Sequence, residues 1–126
     1  MANHVFVTEG GARLAFVSCA LRNTGTGWAV IDEASHEPSG VTGLVTHPDH
    51  LELQHAVGAV QVSSLAVTVD ETYAKTGLRC GASVGLDLSN IYLYSGTAGG
   101  APLNPTTVQA ANGNLWIQGY LRLPAA

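Results

Sequence analysis

At 126 residues the chain has the length of a single domain. Only 11% of it is charged, against 46% hydrophobic, and the formal charge is −4. Its five basic residues (Arg13, Arg22, Lys75, Arg79 and Arg122) are scattered, which excludes the clustered cationic face of a nucleic-acid binder; no apolar run approaches the ~20 residues that span a bilayer.

The opening Met1-Ala2-Asn3-His4 has no basic region followed by an apolar core, so synthesis in the cytoplasm without a signal peptide is expected. His4 to Val7 is a short apolar segment that stops at the turn residues Glu9-Gly10-Gly11. Leu14 to Leu21 follows as a strand. Leu14 and Phe16 alternate with Ala15, Val17 and Cys19, so both faces are apolar and a covered strand is expected. Asn23 to Gly27 reads as a loop and Trp28 to Ile31 as a short strand. The stretch Asp32 to Gly40 combines three acidic residues with Pro38 and Gly40, the composition of an exposed loop.

Val41 to Thr46 is strand-like, His47-Pro48-Asp49-His50 reads as a turn, and Leu51 to His55 alternates cleanly, so one of its faces is wet. Val60 to Val62 and Leu65 to Val69 are rich in β-formers, and Ser63-Ser64 between them shifts the alternation as a bulge would. Asp70 to Gly77 fits one helical turn capped by Asp70, or an irregular loop. Arg79 to Leu86 and Leu88 to Tyr94 read as strands, and Ser95 to Pro105 as a long Gly/Pro loop.

The last unit predicts a hairpin. Thr106 to Ala111 and Leu115 to Leu123 flank Asn112-Gly113, a pair suited to a tight turn. In its second arm Leu115, Ile117, Leu121 and Leu123 share one face, and Trp116, Gln118, Tyr120 and Arg122 the other. Eight to ten short strands with frequent turns predict one all-β domain over residues 1–126: an antiparallel β-sandwich, jelly-roll-like or Greek key. Cys19 and Cys80 both fall in strand-like runs and read as buried thiols acting as small hydrophobes, with a disulfide between them left open.

Chemical motifs are sparse. Gly81-Ala82-Ser83-Val84-Gly85 matches the Gly-x-Ser-x-Gly nucleophile elbow, but the elbow needs a helix after the serine and a strand-like run follows instead. No histidine lies beyond His55 to serve as the base. His36, His47, His50 and His55 fall within twenty residues, and Asp49 and Glu52 could complete a zinc set with them. Their spacing follows no ligand pattern, so they read as loop histidines and no metal or cofactor is expected. Asp32-Glu33 and Asp70-Glu71 are neighbours that point to opposite faces of extended chain, which suits turns and caps better than paired acid–base work.

The aromatics are the candidate contact residues. Trp28, Tyr92, Tyr94, Trp116 and Tyr120 could stack on a sugar, anchor a subunit interface or fill the core. Trp116 with Tyr120, and Tyr92 with Tyr94, share a strand face.

The stretch Val62 to Ala74, the run Gly81 to Leu86 and the ending Leu103-Asn104-Pro105 through Asn114 to Gly119 resemble small tailed-bacteriophage structural proteins. Gly27-Trp28 and Ser35 to Gly40 fit the same pattern, and together these make up about a third of the chain. The resemblance implies a virion β-module, fitting a head decoration protein and a tail or fibre component alike. It implies self-association, commonly as a homotrimer, and it transfers no functional residue; other virion proteins, such as the major capsid protein, are the expected partners. The resulting expectation is a non-enzymatic capsid decoration or cementing protein. A tail-tip or fibre module contacting a host glycan is the alternative, and a small metal-dependent enzyme the remote one.

Overall fold

The computed structural model describes residues 5–8, 10–11, 13–55, 61–96, 100–109 and 112–124. Two antiparallel sheets form a sandwich-like all-β domain. The strands are β1 (Val5–Val7), β2 (Arg13–Asn23), β3 (Trp28–Val30), β4 (Val41–Thr46), β5 (Leu51–His55), β6 (Gln61–Val69), β7 (Leu78–Val84), β8 (Leu88–Ser95) and β9 (Leu115–Leu123), with one helical turn, α1 (Glu71–Ala74), between β6 and β7. The first sheet runs β1-β2-β9-β6, with β3 also on β2, and the second runs β4-β5-β8-β7. Among the described residues no helix is long and apolar enough to cross a membrane.

Period-two patterning builds the core. Leu51 and Leu53 of β5, Ile91 and Leu93 of β8, and Leu115, Ile117 and Leu121 of β9 are fully buried on the inner faces, where each contributes about 1.5–3 kcal/mol of transfer free energy. The helical turn forms because Asp70 caps it: its Oδ1 accepts the Thr72 N–H at 2.9 Å. That turn drives Tyr73 into the core, where its ring stacks on Trp28 with centroids 5.7 Å apart and its hydroxyl accepts the Asn23 N–H at 3.1 Å.

The bulge anticipated at Ser63-Ser64 is present. Val62 pairs with Leu121 and Ser64 with Tyr120, so Ser63 is the extra residue of β6. The kink presses the Ser64 carbonyl onto Gly119 of β9, where a Cβ would lie 2.0 Å from that oxygen. No side chain larger than hydrogen fits there.

Among the described residues the final hairpin is not formed. Leu115–Leu123 pairs with β2 on one side and β6 on the other. Pro105–Thr107 is instead a 3-10 turn, capped by Asn104 Oδ1 on the Thr106 N–H at 3.1 Å. Pro105 has no N–H to donate to a ladder, and the Asn104 cap favours a turn over extended chain. Gly113 does not adopt positive φ. It packs against the cap of α1, where Asp70 N–H donates to the Asn114 carbonyl at 3.0 Å. Ala110, Ala111, Val60 and His4, all assigned to strands from sequence, lie outside the described residues.

The strand expected to be covered on both faces is only partly so. Ala20 is buried, but Phe16 and Ser18 of β2 are exposed on the outer face. The loop at 32–40 is exposed over most of its length, yet Ser39 returns to pair with Ser18 through two backbone hydrogen bonds of 2.8 and 2.9 Å. Gly40 makes this approach possible. It adopts φ +71°, and a Cβ there would sit 2.4 Å from the Phe16 carbonyl oxygen.

Candidate functional site

The outer face of the first sheet carries a long concavity. Strand β9 lies between β2 and β6, so residues from three distant segments align in rows across it. One row is Phe16, Tyr120 and Ser64; the next is Ser18, Gln118 and Ala66; the third is Ala20, Trp116 and Thr68. The middle row is short, and the rows on either side carry large rings. The result is a trough with aromatic ends and a small polar floor.

At one end Phe16 and Tyr120 pack with centroids 5.2 Å apart, and both stay exposed, by 42% and 38%. At the other end the His36 ring meets Trp116 edge-on at 4.9 Å. Trp116 and Tyr120 are four residues apart on one strand, which separates them by roughly 13 Å. The loop at 32–40 forms a wall, supplying Glu37 and Ser39. The Tyr120 end encloses about 610 Å³, and a second lobe of about 240 Å³ reaches Trp116. The lobes meet at Ser18, Glu37 and Gln118. Such a trough can hold an elongated, uncharged or weakly polar ligand, or the side chains of a protein surface, through ring stacking and hydrogen bonds.

The five aromatics singled out from sequence thus occupy three places. Trp116 and Tyr120 lie in the trough as the strand phase predicts. Tyr92 and Tyr94 are half-buried on the outer face of the opposite sheet. Trp28 lies in the core, 8% exposed, with its Nε1–H donating to the Pro105 carbonyl at 2.8 Å. Its ring is accounted for by packing on Tyr73. Phe16, His36 and Glu37 belong to the trough but were not singled out as contact residues. The antiparallel register sets Phe16 opposite Tyr120, and the Ser18–Ser39 bridge carries the loop with His36 and Glu37 onto the trough.

The histidines also separate. His55 is buried, with Nδ1 2.8 Å from the Gly40 carbonyl and Nε2 2.8 Å from Ser89 Oγ. A carbonyl only accepts, so Nδ1 carries the proton and Ser89 donates to Nε2. Burial holds this imidazole below its ordinary pKa; the Gly40 hydrogen bond and the Asp87 charge oppose that shift but are smaller. His36 stands over Trp116. His47 and His50 flank the β4–β5 turn with their rings stacked at 4.4 Å, and Glu52 reaches His47 Nε2 at 3.1 Å.

Ser83 lies on β7, followed by a turn and then β8, not by a helix. Its Oγ accepts from Asn90 Nδ2 at 3.3 Å and lies 3.4 Å from the Tyr92 hydroxyl. Asp70 is engaged as a cap, and its hydrogen bonds from the Thr72 backbone hold its carboxyl below the usual range. Cys19 and Cys80 are free thiols on different sheets, each pushed up to about 12 by burial. Compared with protein-family models, with curated proteins and with solved structures, the chain matches none.

Proposed function

We propose that the protein is a non-enzymatic virion structural module, in the first place a decoration protein that binds the outer surface of a phage capsid. The observation that carries this reading is the aromatic trough on the outer face of the first sheet. Phe16 and Tyr120 leave apolar ring surface in water beside a wall held by the Ser18–Ser39 bridge. A rigid exposed ring pair of this kind gains by being covered, and it suits anchoring on another protein. The resemblance of the Val62–Ala74 and Asn114–Gly119 stretches to small tailed-phage structural proteins supports another virion protein as that partner, which the decoration reading takes to be the capsid protein. Self-association as a trimer belongs to the same reading. Burial of the trough across subunit junctions would stabilise the particle by mass action.

The test is co-sedimentation with purified particles of the cognate phage. Binding weakened at least about tenfold by Phe16→Ala with Tyr120→Ala supports the reading. Particles that neither bind the chain nor melt lower without it overturn it.

A tail-tip or fibre module that contacts a host glycan is the second reading. The trough favours it through rings at both ends and the polar floor of Ser18 and Gln118. It requires binding to host cells or glycans that Trp116→Ala weakens.

A further inference from the structure

We propose that the β4–β5 turn is a binding site for a late first-row divalent ion such as Zn2+, ligated by His47, His50 and Glu52 and supported by Asp49. Antiparallel pairing sets Val45 opposite Glu52 and Thr46 opposite Leu51. His47 and His50 therefore face each other across the turn, joined by the His47 N–H to the His50 carbonyl at 2.9 Å. Alternation carries Glu52 onto the same outer face as His50, while Leu51 and Leu53 point into the core. The three side chains offer ligand atoms that all lie within 4.8 Å of one another.

One contact already has the spacing of a coordination sphere, and the His47 and His50 rings, now stacked at 4.4 Å with their planes 15° apart, must turn for both to present an in-plane lone pair to one ion. Bonds of about 2.0–2.1 Å in a tetrahedral zinc site place ligand atoms roughly 3.3 Å apart. His47 Nε2 and Glu52 Oε1 are 3.1 Å apart. An ion between them takes the place of the proton they now share, and that proton leaves to solvent or moves to His47 Nδ1. Asp49 Oδ1 lies 2.6 Å from His50 Nδ1. A carboxylate only accepts, so Nδ1 carries the proton and Nε2 is left with its lone pair for the metal. A carboxylate behind a ligating imidazole is the usual orienting partner in such sites. Gln54 Nε2 holds the other Glu52 oxygen at 3.3 Å.

Two imidazoles select zinc, nickel or copper over calcium and magnesium. The carboxylates of Asp49 and Glu52 match the charge of a divalent ion. Both rings are partly exposed, so an ion and its remaining water ligands can enter from solvent.

Titration of the full chain with ZnCl2 by calorimetry, in a buffer that does not chelate, is the first test. One ion per chain is expected. His47→Ala and His50→Ala should each weaken binding at least about tenfold, and Asp49→Asn, which removes a positioning residue, by about 10–100-fold. In NMR spectra of the unmodified chain the ring protons of His47 and His50 should shift with zinc while those of buried His55 hold. The ring shifts decide the matter even where a variant folds poorly. The absence of saturable binding overturns the proposal, and so does unchanged binding by a folded His47→Ala/His50→Ala variant.

Discussion

Gly119→Ala is expected to destabilise the fold by about 2–3 kcal/mol, although alanine is the better residue for a strand by about 0.5–1 kcal/mol. The opposing term comes from the β6 bulge. A Cβ at Gly119 would lie 2.0 Å from the Ser64 carbonyl oxygen, 3.0 Å from its carbon and 3.1 Å from Leu65 Cα. Close carbon–oxygen contacts settle near 3.3 Å, so β6 must retreat by roughly 1.3 Å. These neighbours are backbone atoms and cannot rotate aside. Overpacking of this kind costs about 1–3 kcal/mol, and each ladder hydrogen bond lost beside it adds about 1 kcal/mol. For a domain of this size the melting temperature should drop by about 10 °C. Gly81→Ala is the matched control. Its Cβ would meet Tyr94 Cε2 at 3.4 Å, an ordinary contact, so stability should hold or rise by less than about 1 kcal/mol. Urea denaturation of both variants gives the answer. A Gly119→Ala protein within about 0.5 kcal/mol of the parent would refute the close approach of bulge and strand.

Two further outcomes are expected. His55 titrates below its ordinary range because it is buried, so below about pH 6.5 the unfolded chain takes up a proton that the folded chain resists. Stability should fall as the pH drops from there and level off below the folded-state pKa, and His55→Gln should flatten that part of the curve; equal slopes in parent and variant would contradict the neutral, buried assignment. Iodoacetamide at mildly alkaline pH should leave both thiols of the native chain almost unmodified and label two per chain in denaturant, because burial holds Cys19 and Cys80 near 12. Rapid native labelling of either, read by mass spectrometry, would show that its strand opens.

Features governed by near neighbours were legible in the chain itself. The alternation of Leu51 to His55 marks a strand with one buried face, and that is its burial in the sheet. The phase slip at Ser63-Ser64 marks a bulge, and Asp70 before Glu71 marks a capped turn. The His47-Pro48-Asp49-His50 spacing follows no ligand pattern and reads as loop histidines; it is the hairpin register that sets both rings and Glu52 together. The described part of the expected Thr106–Ala111 arm, residues 106–109, forms no strand, because β-rich composition and an Asn-Gly pair describe a segment's tolerance, not its partner. The competing Asn104 cap and the Asp70–Asn114 contact are stronger than the turn signal at Asn112-Gly113.

The sequence alone determined the all-β class, the bulge at Ser63-Ser64, the Asp70-capped turn and the buried face of strands such as Leu51–His55 and Leu115–Leu123, because backbone alternation and local hydrogen bonds act over a few residues. Only the tertiary structure decided that β9 pairs between β2 and β6, and hence that Phe16, Ser64 and Tyr120 line one trough while Trp28 packs inside. That choice joins residues about a hundred positions apart, Val17 with Gly119 for example, and it is made by mutual burial of surfaces that no local window contains.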